Sequence, residues 1–192
     1  RNAGSRSDAL HRRFQGGESA ERASVSTYSI GSKVVHPFDG AGVIVSVQEK
    51  RIGDTNHAYY VILTRSNAMQ LMVPVHRAQS VGLRDVGEGD GLRQMLVSCS
   101  QVPGDGEIET DLRARQLAMR ERLKSGSYEY VADVVRKLYF MNARRPLGTI
   151  DRQLFDQGKD LLASELALSL GYEMPDALQE IEDCLSAMFR VA

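Results

Sequence analysis

From Lys33 to Ala78 the chain reads KVVHPFDGAGVIVSVQEKRIGDTNHAYYVILTRSNAMQLMVPVHRA, apolar stretches cut every few residues by turn formers. This spacing leaves no window for a long packed helix and dictates short strands. Val43, Val45 and Val47 alternate with Ile44, Ser46 and Gln48, the period of two that makes one face of a strand more apolar than the other. Tyr59 to Leu63 is almost continuously apolar and rich in β-formers. Met69, Leu71 and Val73 alternate with Gln70 and Met72, which sets Met72 on the Gln70 face, outward and exposed. Turn signals separate these runs at Pro37-Phe38-Asp39-Gly40, Gly53-Asp54 and Ser66-Asn67. Pro74 ends the last run, because it has no N–H to donate to a ladder.

Three or four strands in about 45 residues suit a small, strongly bent barrel or half-barrel of the Tudor or SH3-like kind. Such a sheet has little room for an active site and offers a partner an edge strand or a face. The remainder is helical. Gly91–Cys99 reads as one short helix, with Leu92, Met95 and Leu96 on one side. Val102-Pro103-Gly104-Asp105-Gly106 is a linker. Thr110–Lys124 puts Leu112, Gln116, Met119 and Leu123 on a stripe, and Tyr128–Phe140 does so with Val131, Val134, Val135 and Leu138. After a loop at Asn142–Gly148, Thr149 is the expected N-cap of a helix that closes at Gly171. Pro175 suits the first position of a last helix whose Leu178, Ile181, Leu185, Met188 and Phe189 face inward. The fold class is therefore α+β, a small N-terminal Tudor/SH3-like barrel followed by an all-helical domain. The expected divisions are a disordered tail over 1–27, a β domain over 28–100, a linker over 101–107 and a helical domain over 108–192.

The formal net charge of −1 points to no global attraction toward nucleic acid or membrane. The charge is nevertheless uneven. Between Arg113 and Asp160 eleven Lys or Arg residues face six acids, whereas beyond Leu161 six acids face only Arg190. Two cysteines far apart, Cys99 and Cys184, make neither a disulfide framework nor a paired-cysteine site, which favours a reducing cytoplasmic setting. No apolar run approaches the length of a membrane span.

Residues 31–37 with 40–44, 72–75 with 81–84, 123–126, 131–139 and 164–171, taken in that order, resemble the CarD/CdnL group of bacterial transcription regulators. Gly31-Ser32-Lys33-Val34-Val35-His36-Pro37 with Gly40-Ala41-Gly42-Val43-Ile44 is similar to the group's opening motif. Met72-Val73-Pro74-Val75 with Val81-Gly82-Leu83-Arg84 is similar to the close of its first domain. Leu123-Lys124-Ser125-Gly126, Val131-Ala132-Asp133-Val134-Val135-Arg136-Lys137-Leu138-Tyr139 and Ser164-Glu165-Leu166-Ala167-Leu168-Ser169-Leu170-Gly171 resemble its helical signatures. The resemblance implies a barrel that docks edge to edge on the RNA polymerase β subunit, through positions matching Lys50, Arg51, Ile52 and Met72. It implies a helical domain that touches promoter DNA at the upstream edge of the melted region and stabilises the open complex. It also implies a cytoplasmic protein, associated with the nucleoid through polymerase and monomeric off it. The group often carries a wedging Trp where Leu112 stands, and DNA-contacting cations where Ala114, Leu117 and Gln157 stand. Arg113, Arg115, Arg120, Arg122 and Lys124 remain as candidate phosphate contacts beside Leu112. The alternative is a polymerase-bound adaptor whose helical domain engages another protein and not DNA.

Chemistry-bearing patterns are missing. No phosphate-binding glycine loop, HExxH or paired-cysteine motif occurs. His36, His57 and His76 are scattered, so no metal site is expected. The cysteines read as small buried hydrophobes. Glu165, inside an apolar helix, reads as capping or pairing internally with an arginine. No enzyme activity and no cofactor are expected.

Overall fold

The structure, a computed structural model, describes residues 28–190; the tail assigned to residues 1–27 lies outside the described residues. The first half is a five-stranded antiparallel sheet in the order β4-β3-β2-β1-β5. Its strands are β1 (Lys33–His36), β2 (Gly40–Ile52), β3 (Thr55–Thr64), β4 (Gln70–Pro74) and β5 (Arg84–Asp85). The inner face buries Val34, Ile44, Tyr60, Ile62 and Val73 under Ala78 and Leu83.

On β2 the inward residue is Ile44, while Val45 and Val47 are exposed. The valine set, more apolar as a string, is not the core set. The physical reason is a bulge: Ile44 pairs with Ile62 and Ser46 with Val61, so Val45 is an extra residue. Beyond it the strand bends away from the core. Met72 shares the outer face with Gln70 but is half-buried rather than exposed.

The second half packs α2 (Leu112–Lys124), α3 (Tyr128–Arg144), α4 (Thr149–Leu170) and α5 (Met174–Ala187) around one core. α1 (Gly89–Val97) and the short turn Ser98–Ser100 contribute Leu92, Leu96 and Cys99 to that same core. Packing thus groups residues 89–100 with the helices, where the sequence reading grouped them with the β domain 28–100. The stretch read as a linker is tied to α3, because Arg136 donates to the Gln101 carbonyl at 3.4 Å and to Glu107 at 2.6 Å. Gly148, not Thr149, is the N-cap of α4. Phe189 is exposed rather than inward.

The halves meet at the base of the sheet, where α4 lies against β2. Arg84 donates to both oxygens of Glu165 at 2.6 and 2.7 Å. The Ala41 amide donates to Ser164 Oγ at 3.0 Å, and Lys33 donates to the Leu168 carbonyl at 2.9 Å. Arg65 reaches the Tyr172 carbonyl at 2.7 Å. Glu165 therefore does pair with an arginine, one 81 residues away.

Candidate functional site

β1 pairs with β2 only from Gly40 to Val43, and backbone bonds from Gly31 and Ser32 extend this contact to Ile44. Past that point β2 continues to Ile52 with β3 on one side and, among the described residues, no strand on the other. The far half of β2 thus presents an open edge among the described residues. An open edge offers unpaired amides and carbonyls to an added strand. Lys50, Arg51 and Ile52 form its tip. All three are exposed, Ile52 at 57%.

Register fixes where these side chains point. Lys50 stands opposite His57, Ile52 opposite Thr55, and Ser46 opposite Val61, which in turn stands opposite Met72. Cross-strand partners share a face, so Lys50, Ile52 and Met72 lie on one side of the sheet and Arg51 on the other. Met72 is in line with Ser46, four residues short of Lys50 along β2 and two strands across. The structure groups Lys50 to Ile52 as a tip and holds Met72 apart from them, lower on the edge strand β4.

The helical candidates divide by their partners. The N-cap Asp111 accepts a bond from the Ala114 amide at 2.7 Å and so fixes the start of α2. Leu112 is its first residue and is 53% exposed, not part of the buried stripe that Met119 and Leu123 form. It lines a mostly apolar groove of about 880 Å³ between α2, the end of α3 and the start of α4. Arg113, Leu117, Arg120 and Lys124 are exposed and recur at i, i+4, i+7 and i+11, one face of a helix. Among the described residues no side-chain partner is seen for Arg113 or Arg120. Lys124 lies 3.5 Å from Glu121.

Arg115 belongs elsewhere. Its side chain is 12% exposed and reaches Asp151, itself 6% exposed, at 3.2 Å. It also donates to the Glu109 carbonyl at 3.1 Å. Arg115 therefore neutralises a buried carboxylate and does not face solvent as a phosphate contact must. Arg122 is held by Asp133 and lies over the Tyr130 ring. Asp133 is half-enclosed, and burial pushes its carboxyl up, but bonds from Lys137 and Arg136 outweigh burial and hold it below the usual range. Cys99 is fully buried, which pushes its thiol up to about 12. Among the described residues no group of three or more His, Cys, Asp or Glu converges as a metal cage would require. No helix there is long and apolar enough to cross a membrane.

One exposed aromatic was passed over in the sequence. Phe38 occupies the turn between β1 and β2 and is 52% exposed. The available signal was chemical: a Pro-x-Asp-Gly turn has no need of a phenylalanine at its second position.

Comparison with known proteins fits this two-part layout. Residues 28–87 match the CarD-like/TRCF RID domain, and residues 103–182 match the CarD C-terminal domain. A relative from Bacillus subtilis (strain 168), described as "Putative transcription factor YdeB", is 26% identical over 144 residues, which is 75% of this chain and 93% of that protein.

Proposed function

We propose, for a chain that belongs to the CarD/CdnL family and has a transcription-related, RNA polymerase-interacting role, that its sheet docks on the polymerase β subunit and its helical half stands beside promoter DNA, modulating the lifetime of the open complex. The observation that carries this reading is the free far half of β2. Its tip at Lys50, Arg51 and Ile52 is exposed, while the helices clamp the opposite end of the same sheet. Main-chain pairing along such an edge supplies affinity, and alternate side chains supply selectivity. Arg113, Arg120 and Lys124, one cationic face of α2, supply the phosphate contacts. This assignment makes the protein a non-enzymatic regulator, monomeric off polymerase and cytoplasmic with it.

Binding of the purified protein to the polymerase β lobe tests the dock. Ile52→Asp puts a charge into the new pairing without touching either core and weakens binding about tenfold or more, in line with the loss of an interface anchor. Equal affinity of the two proteins would refute the docking edge.

One observation favours a second reading, an adaptor that engages protein through its helices. Of the cations proposed for DNA, Arg115 and Arg122 are already committed to carboxylates. An adaptor would leave the open-complex lifetime unchanged in a promoter assay, whereas the DNA reading lengthens or shortens it.

A further inference from the structure

Phe38 stands in a turn that is seated on the junction of the two halves. The preceding residue, Pro37, sits between Gly82 and Gly126, which have φ of +81° and +71°. A Cβ on Gly82 would stand 2.9 Å from Pro37 Cγ, and one on Gly126 would stand 3.4 Å from it. The turn is thus wedged into a slot that two glycines keep open, one from the sheet's closing loop and one from the end of α2. His36 Nδ1 meets the Asp39 carboxylate at 2.7 Å and closes the turn.

What surrounds the ring is a groove of about 280 Å³ between α2 and α4. Its rim carries Arg120 and Lys124 from α2 and Gln153 and Gln157 from α4, with Ile150 half-exposed at one end. An exposed aromatic face, two cations and two neutral amides are the parts that hold an unpaired nucleobase. The ring stacks, the cations meet the flanking phosphates, and the amides reach base edges. An acidic peptide would match the cations as well but leaves the amides and the flat ring without use. Acids do lie near Phe38. Asp39, Asp156 and Asp160 line a neighbouring groove with Ser66 and Asn67, and it shares Phe38, Gln153 and Gln157 with the first. They repel phosphate there and confine a strand to the α2 side.

We propose that Phe38 is the aromatic stacking platform for an unpaired base of melted promoter DNA, contributed by the β domain across the domain junction and supported by Arg120, Lys124, Gln153 and Gln157. The inference rests on the DNA reading above and places its aromatic contact outside α2.

The test uses polymerase holoenzyme, the full chain and a promoter fork with a single-stranded overhang. Lifetime after competitor challenge is measured for the wild type, Phe38→Leu and Phe38→Trp, with β-lobe affinity as the folding control. The expected result is a lifetime effect that Phe38→Leu cuts about fivefold or more, in the range of a lost stacked base, and that Phe38→Trp preserves, all at unchanged β-lobe affinity. A wild-type effect that survives Phe38→Leu intact would overturn the platform and leave the DNA reading standing. No wild-type effect on the fork would overturn both. A photoreactive benzoylphenylalanine at position 38 is expected to crosslink to the overhang; crosslinking to a protein subunit instead would overturn the platform in favour of an adaptor surface.

Discussion

Glu165→Gln removes one charge from the pair that joins the two halves while keeping the side chain's shape. Glu165 is 2% exposed and accepts three hydrogen bonds, two from Arg84 and one from the Gly87 amide at 3.0 Å. A glutamine accepts at one oxygen only, and its NH2 group then meets the guanidinium donor to donor. Breaking a fully buried pair from one side costs about 3–5 kcal/mol. The Arg84 side chain is 33% exposed, so water restores part of its solvation, and the expected loss falls to about 2–3 kcal/mol. For a chain of this length each kcal/mol moves the melting temperature by about 2–4 °C. Calorimetry or circular dichroism is therefore expected to show a fall of roughly 4–12 °C. Arg84→Met with Glu165→Leu removes both charges and recovers most of that fall, because no ion is left unpaired. A drop of under about 2 °C for Glu165→Gln, or a double variant that melts no higher than Glu165→Gln, would refute the pair as a bond that holds the halves together.

Arg113→Ala and Arg115→Ala are expected to separate DNA binding from stability. Arg113→Ala leaves melting unchanged and lowers the salt slope of DNA binding by about one. Arg115→Ala leaves the buried Asp151 with the Gln116 amide as its remaining side-chain partner and costs about 2–4 kcal/mol by urea unfolding; the reverse ranking would refute the division of labour on α2. Cys99 is expected to resist a thiol reagent at pH 8 until the chain unfolds, because burial keeps its thiol protonated. Its folded value lies above the unfolded one of about 8.5, so its contribution to stability is whole below that pH. It is lost as pH rises toward about 12, and rapid native labelling would refute the burial argument.

Much of the layout is legible in the string, because it depends on local rules. Turn formers at Gly53-Asp54 and Ser66-Asn67 mark reversals that the strands obey, and the 3.6-residue stripe of α3 buries as its spacing predicts. What escapes is decided by partners distant in sequence. Arg115 looks like its neighbours until Asp151 arrives from 36 residues away. Residues 89–100 carry a helical pattern that says nothing of which core will receive it. The bulge at Val45 is a single extra residue in a ladder, and no local rule marks it among three valines.

That bulge also ties the two surfaces together. β2 runs 13 residues, of which those near Ala41 are bonded to α4 and those near Ile52 are free. At ~3.3 Å per residue, the eleven steps from Ala41 to Ile52 put the docking tip about 35 Å from the clamp. Beyond Gln48, where β4 no longer backs β3, the arm is two-stranded, and its aim depends on how its base is fixed. Here the base is fixed by Ala41 on Ser164, Lys33 on the Leu168 carbonyl and Arg84 on Glu165, all received by one turn-and-a-half of α4. The same slot that holds Pro37 against Gly126 carries this rigidity into the end of α2. The sheet is therefore a lever with a seated base: what grips the tip at Ile52 also sets where Arg113, Arg120 and Phe38 stand. On the proposed function, a lesion at the clamp spares binding to polymerase while displacing the groups assigned to DNA. Glu165→Gln is expected to keep β-lobe affinity within about twofold of wild type and to lose the effect on open-complex lifetime. Loss of both together would show that the clamp holds up the sheet itself and does not aim it.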